Sequence, residues 1–406
     1  MSTKTTKRNF IGHWLLIAGA FALTLPWLLL RLMHWHEEAD PLAVAAISGL
    51  AILGAAFILS WAAEVAQMDI SQSLALAFLA LISILPEYAV DMYFAWQAGK
   101  NPEYMGYATA NMTGANRLLI GLGWSAVVLL YWLRSRKTTV TLEPGQSTEM
   151  TFLALATIWS FTIPLRHEIG MIDLVVLLTI FVLYMWQASK AEHDEPEFTG
   201  PPLALSLLPK ARRRMAVVGF FIWAAAIILA SAEPFSEGLV ETGKRWGVDE
   251  FLLVQWLAPL ASESPEFIVA SLFALRGTPS LGLGALISSK VNQWTLLVAM
   301  LPLVFSISAG RPGGLILDAR QEEEMLLTSA QSLFALAVIL NFRMSIWEAF
   351  GLIFLFVTQL FFTDTHIRYA YAFAYIGLTV IVIARHPDRL RNLWSLVRCG
   401  GHRSEG

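Results

Sequence analysis

Apolar residues in this chain gather into long, nearly uninterrupted runs rather than into the short alternations of a half-buried strand. A helix needs roughly 20 apolar residues to cross a bilayer, and on that measure we count about twelve spans. The runs begin near residues 10, 42, 71, 104, 150, 169, 214, 250, 281, 323, 345 and 367. The pattern predicts an all-α polytopic membrane protein, in which the first run is a retained span rather than a signal peptide.

Composition agrees with this class and excludes several others. Of the 406 residues 56% are hydrophobic and 15% charged, which excludes a soluble enzyme with a single buried core. The net charge of -3 and the lack of a basic patch interleaved with aromatics give no reason to expect nucleic acid. A single cysteine, Cys399, forbids an internal disulfide. No phosphate-binding loop of the Walker type occurs, so we expect neither an ATP-driven pump nor an enzyme, and no cofactor.

Lysine and arginine predict the orientation in the membrane. The loops on the side of both termini hold more of them than the opposite loops, which include the acidic stretch at His36 to Asp40. We therefore expect a protein of the cell (inner) membrane with both termini cytoplasmic. Its partners would be the lipid bilayer and small ions, with no obligatory protein partner.

Two Pro-Glu pairs lie inside membrane-length apolar stretches, at Pro86-Glu87 and at Pro265-Glu266. A carboxylate at bilayer depth is costly in free energy, so such a residue is taken first as a candidate functional residue. Each proline is expected to break its helix and to free backbone carbonyls, which is tolerated only against protein or a wet cavity. Matched broken helices in the two halves of a chain predict a transport site near the midplane.

The two halves also match in order around these pairs. A span end, a short polar turn and a new span precede each Pro-Glu, and residues 110–116 then match residues 284–290. We predict two five-helix repeats, 42–188 and 214–363, inverted relative to each other because five is odd. The remaining parts would be an N-terminal tail and extra span (1–41), a cytoplasmic linker (189–213), and an extra span with a basic cytoplasmic tail (364–406).

These paired segments resemble the alpha repeats of the calcium:cation antiporter superfamily, to which the sodium/calcium exchangers belong. The pattern is an apolar run ending in Gly-Ser/Thr-Ser-x-Pro-Glu, then a helix with Gly-Ser-Asn-x-x-Asn/Asp. The resemblance implies a cation site in which Glu87 and Glu266 are the central metal ligands. Carboxylate and carbonyl oxygens suit Ca2+, and two carboxylates can be neutralised in turn by Ca2+, monovalent cations or protons. Alternatively, both glutamates pair with buried basic residues.

The site has further candidate ligands; most follow from the resemblance, whereas Asp91 is added because it lies one helical turn after Glu87. The candidate ligands besides the two glutamates are Ser83, Asp91, Asn111, Asn116, Ser262, Glu263, Ser289 and Gln293. Ile84, Ala115 and Leu119 stand where the family has oxygen-bearing side chains, so the first repeat has lost ligands. Ser289 and Gln293 share a helix face, which fits ion binding and interhelical hydrogen bonding equally well.

Two basic residues complete the candidate site as charge-compensating groups. Lys290 stands where the family has asparagine and would lie near the cavity, whereas Arg117 is about 200° from Ala115 around the helix and is expected to point away. A buried ammonium can replace a transported monovalent cation, or release a proton. It can equally be structural, paired with Glu263.

The sequence thus predicts a secondary antiporter that exchanges Ca2+ or another cation for H+ or Na+ by alternating access. The lost oxygens and Lys290 favour H+ as the counter-ion. The alternatives are a sodium:proton antiporter on the same scaffold, and a degenerate homologue that acts as a scaffold or ion sensor without transport.

Overall fold

The computed structural model describes residues 3–35, 38–69, 85–190, 198 and 200–389. Most of these residues are helical, as the apolar runs predict. The chain divides into two compact units, Met1–Tyr93 with Ser189–Pro265, and Phe94–Ala188 with Glu266–Gly406. Among the described residues, eight helices are long and apolar enough to cross a membrane. The protein is therefore a multi-pass membrane protein.

The first unit is built on two long helices that pack along each other. Its helices are α1 (Thr3–Leu32), α2 (Pro41–Ala66), the start of α3 (Leu85–Ala98), α9 (Pro201–Ser206), α10 (Lys210–Trp246) and the start of α11 (Glu250–Arg276). Helix α2 packs against α10 and α1. The α2–α10 contact is close because Gly238 has no side chain: a Cβ there would lie 2.9 Å from the Ala45 nitrogen. Small residues let membrane helices approach in this way.

The interval 189–213, predicted as a linker, is not wholly irregular. Its segment Pro201–Ser206 forms α9, whose Pro201, Ala204 and Leu205 are buried and which packs against α1 and α2. Two prolines at the helix start and three apolar residues explain the helix and its burial. The acidic residues 191–197 of this interval lie outside the described residues.

Asp69 ties the end of α2 to the start of α10. One carboxylate oxygen accepts from Arg213 Nε at 3.0 Å and the other from Arg214 Nε at 2.9 Å. The hydrogen bond from Arg213 is the main cause that lowers the pKa of Asp69 below its ordinary value, against the opposing effect of burial. The ion pair therefore stabilises the fold above the ordinary pKa of an aspartate, and this stabilisation is lost as the pH falls through the lowered pKa.

We expect Asp69→Asn to destabilise the protein at pH 7 by about 1 kcal/mol or less, because the Arg214 partner is solvent-exposed. The measurement is the thermal unfolding midpoint in detergent from pH 7 downwards. The difference from the wild type should shrink below about pH 4, near the ordinary aspartate pKa. Asp388→Asn, at an exposed aspartate, is the control. A pH-independent difference would contradict the ion-pair explanation.

The second unit contains the remaining elements. Its helices are the end of α3, α4 (Tyr104–Leu118), α5 (Ser125–Ser135), α6 (Ser147–Ser160), α7 (Thr162–Arg166), α8 (Met171–Ala188), the end of α11, α12 (Pro279–Asn292), α13 (Val298–Ala309), α14 (Ala319–Ile339), α15 (Ile346–Gln359) and α16 (Thr365–Arg385). Two π-helical segments, π1 (Leu119–Trp124) and π2 (Gln293–Leu297), join α4 to α5 and α12 to α13. Helix α14 packs against α4, α6 and α16.

Besides its helices, the second unit has two small antiparallel sheets. Strand β1 (Thr139–Thr141) pairs with β4 (Arg343–Ser345), and β2 (Glu168–Ile169) pairs with β3 (Leu315–Ile316). Strands of two or three residues are too short to give a detectable alternation of polar and apolar positions.

Elements of the second unit recur in matching order. The order α4–π1–α5–β1–α6 resembles α12–π2–α13–β3–α14, and each series continues through a strand (β2, β4) into a helix (α8, α15). Helix α13 packs on α8 as α5 packs on α15. Left-handed residues follow α5 and α13 (Arg136, Gly310) and precede β2 and β4 (His167, Phe342).

The helix break predicted at Pro265 is wrong. Helix α11 runs without interruption from Glu250 to Arg276 and contains both Pro259 and Pro265. Proline removes one N–H donor and leaves the carbonyl four residues earlier without its usual partner, but a membrane helix tolerates this loss. The residues before Leu85 lie outside the described ranges, so the break at Pro86 stays a prediction.

Candidate functional site

Two predicted ligands lie on α3 in the first unit. Glu87 is 2% exposed and Asp91 is fully buried. They are one helical turn apart, so their side chains leave the same face of α3. Glu263 on α11 is also buried, and the hydroxyl of the buried Ser262 donates to carbonyls of its own helix, at Ala258 and Pro259. The candidate ligand Ser83, and Ile84 where the family has an oxygen-bearing side chain, lie outside the described residues.

Glu266 and Ser289, which belong to the second unit, are in direct contact. The Ser289 hydroxyl on α12 donates to Glu266 Oε2 at 2.5 Å. Glu266 is partly buried and Ser289 is 6% exposed. The hydroxyl supports the negative charge of the carboxylate, and the serine oxygen keeps lone pairs available for a cation.

Lys290 is fully buried and is held by Asn116. Its ammonium donates to Asn116 Oδ1 at 2.6 Å and lies 4.2 Å from the centre of the Trp294 ring. The Asn116 amide nitrogen donates to the Met112 carbonyl at 2.8 Å, which turns the amide oxygen towards Lys290. A buried charge is tolerated only when polar groups satisfy it, and here an amide oxygen and an aromatic face do so.

The other candidates of the second unit flank this contact. Asn111 on α4 is fully buried, and Gln293, the first residue of π2, is 1% exposed. Each π-helical segment begins three residues after one member of the Asn116–Lys290 contact. Such segments are frequent at functional sites, and the sequence analysis did not foresee them.

Arg117 points towards α14, where its guanidinium pairs with Glu324. Its charge therefore compensates a carboxylate that the sequence analysis did not single out. Arg368 lies in α16, is 3% exposed and also pairs with Glu324. The signal that could have found the cluster is the acidic run that opens an otherwise apolar span at Glu322 to Glu324.

The described parts of the chain contain no group of three or more histidine, cysteine, aspartate or glutamate residues arranged to hold a metal ion. In the second unit, Glu266 contacts Ser289, and Asn116 contacts the charge-compensating Lys290. Three acidic candidates of the first unit are all buried: Glu87, Asp91 and Glu263.

Comparison with known proteins identifies the family. The family described as sodium/calcium exchanger protein matches residues 41–190 and 216–363. A crystal structure of the H+/Ca2+ exchanger CAX is 46% identical in sequence, covers 96% of this chain and 100% of its own, and has a TM-score of 0.90. No curated protein sequence matches.

Two more distant structures share the fold. The Ca2+/H+ antiporter protein YfkE is 14% identical, with a TM-score of 0.61 over 86% of this chain and 98% of its own. The sodium-calcium exchanger NCX_Mj is 17% identical, with a TM-score of 0.52 over 78% of this chain and 97% of its own. The chain belongs to the sodium/calcium exchanger family of the calcium:cation antiporter superfamily, whose members are membrane antiporters of inorganic cations.

Proposed function

We propose that this protein exchanges Ca2+ for H+ by alternating access. The observation that carries the choice of counter-ion is Lys290, whose buried ammonium is bonded to Asn116 and stacked on Trp294. A fixed positive charge reduces the need for transported Na+ to neutralise acidic ligands. The 46% identity to a protein whose structure is described as an H+/Ca2+ exchanger supports the same counter-ion.

We propose that Glu87 and Glu266 are the central ligands of the transported cation. Asp91, Glu263, Ser262, Ser289, Gln293, Asn111, Asn116 and Ser83 would complete its oxygen ligands. A hard divalent cation takes six to eight oxygens from carboxylates, amides, hydroxyls and carbonyls, and the candidates supply each side-chain type. When Ca2+ leaves, protons would neutralise the acidic side chains.

We further propose that residues 42–188 and 214–363 are inverted repeats within a protein of about twelve spans. The family match in two stretches supports this division. The reciprocal strand pairing, the two π-helical segments and the matching helix contacts of the second unit support a duplicated origin. The flanking segments 1–41 and 364–406 would each add one span, and 189–213 would link the repeats on the cytoplasmic side of the cell membrane, where both termini lie.

Transport by reconstituted liposomes tests the proposed function. We expect Ca2+ uptake when an outward H+ gradient is imposed, and little uptake under an outward Na+ gradient, because Lys290 already supplies one positive charge. Uptake driven only by Na+ would contradict the proposed coupling. Absence of uptake under both gradients would contradict Ca2+ exchange. A Na+-jump assay of internal pH would then separate a sodium:proton antiporter from a protein without transport.

A further inference from the structure

Four buried charges form a cluster in the second unit, apart from the candidate ligands. They are Arg117 on α4, Glu323 and Glu324 on α14, and Arg368 on α16, and none is more than 3% exposed. Glu324 pairs with both arginines, and Arg368 lies 3.8 Å from Glu323. The two positive and two negative charges balance. Burying four ionised groups is costly even when they are paired, so the cluster calls for a role beyond packing.

Helix α14 holds Arg117 at two points. Glu324 binds its guanidinium, and the buried Gln331 donates from Nε2 to its main-chain carbonyl at 3.2 Å. Glu324 and Gln331 are two helical turns apart and therefore share one face of α14. Arg117 is the second-last residue of α4, two residues before π1 begins at Leu119. Backbone hydrogen bonds change register at such a junction, and a buried carbonyl there benefits from a side-chain donor.

Arg117, which α14 holds, is next in the chain to Asn116, which binds Lys290. Successive residues on a helix point about 100° apart, so fixing Arg117 towards α14 also fixes the direction of Asn116. Asn116 in turn presents its amide oxygen to Lys290 at 2.6 Å. A rotation of the end of α4 would break this hydrogen bond and would move the polar lining that the proposed function assigns to cation binding.

We propose that Glu324, Gln331 and Arg368 are positioning residues for the cation site, which act by fixing the end of α4. This inference rests on the proposed function. Helix α16 lies beyond residue 363, where the family match ends, so Arg368 comes from a segment outside the matched region. Its guanidinium pairs with Glu324 and lies 3.8 Å from Glu323, so it adds positive charge beside the carboxylate that binds Arg117.

Glu324→Gln and Gln331→Leu test this proposal, with Ca2+ uptake measured against Ca2+ concentration. Groups that orient ligands typically contribute a factor of about 10 to 100 in metal affinity, so we expect the half-saturating Ca2+ concentration to rise about tenfold. The maximal rate per folded protein should stay within about twofold. Glu322→Gln is the matched control, because this neighbour on α14 pairs with the exposed His167.

A role in packing alone would lower the yield of folded protein and leave the half-saturating Ca2+ concentration unchanged; that result would overturn the proposal. If Glu324→Gln does not fold, Gln331→Leu decides, since it keeps every charge. If the wild type transports no Ca2+, the proposed function fails. The positioning role is then judged by calorimetric titration of the same detergent-purified proteins with Ca2+, where equal affinities, or no binding, in wild type and Gln331→Leu would overturn it.

Discussion

Glu87→Gln and Glu266→Gln are each expected to abolish Ca2+ exchange. At a fixed low Ca2+ concentration the rate should fall at least about a hundredfold, because the affinity of oxygen sites for Ca2+ depends strongly on ligand charge. Glutamine keeps the shape of glutamate and can still accept the hydrogen bond from Ser289, but it carries no charge and takes up no proton. The substitution therefore weakens the cation ligand by removing its charge, and it removes the group that would carry the counter-ion. Ca2+ uptake into liposomes under an outward H+ gradient is the measurement.

Folding must be separated from transport in this experiment. Glu87 is 2% exposed and Glu266 is partly buried, so replacing either carboxylate with an uncharged amide should not lower stability. We expect each variant to be recovered as monodisperse protein with a thermal midpoint no lower than that of the wild type. Glu241→Gln, at an exposed glutamate that pairs with Arg245, is the control and should retain full transport. Full activity in either Glu87→Gln or Glu266→Gln would contradict the proposal that these glutamates are the central cation ligands.

Most helices could be predicted from the sequence because each is encoded by a local property, a long apolar run. The π-helical segments could not, because a change of hydrogen-bond register from four to five residues leaves no characteristic residue pattern. The two sheets were missed for a related reason, since Val140 and Met344 meet through tertiary contact and not through local sequence. The rule that proline breaks a helix fails at Pro265, because the surrounding helix continues through the proline.

In the candidate site, too, features with a local sequence signal could be predicted, and features that depend on tertiary contact could not. Intramembrane carboxylates at the Pro-Glu pairs stand out in the sequence because acids are rare at that depth. The contact of Asn116 with Lys290 joins residues far apart in the chain. From the sequence it could be predicted that the two occupy equivalent positions of the two repeats, but not that they touch. Arg117 was expected to point away from the site, and its pairing with Glu324 gives it a partner that no local pattern names.

Lys290→Asn is expected to change the ion that drives transport. The substitution removes a fixed positive charge and places an amide where the first repeat has Asn116, so one more negative charge must be neutralised from solution. We expect Ca2+ uptake driven by an outward Na+ gradient to rise at least about tenfold, corresponding to about 1.4 kcal/mol in favour of Na+ binding. Initial rates under matched Na+ and H+ gradients are the measurement.

Lys100→Asn provides a matched control for this change. Lys100 also lies over an indole ring, at 5.3 Å from the centre of Trp96, but it is exposed and lies outside the candidate site. Its replacement should leave the coupling unchanged. If Lys290→Asn keeps the wild-type preference for H+, then the ammonium only fills space between Asn116 and Trp294, and the proton coupling must come from the carboxylates alone. A gain of Na+ dependence confined to Lys290→Asn would instead mean that one buried ammonium stands in for a transported cation.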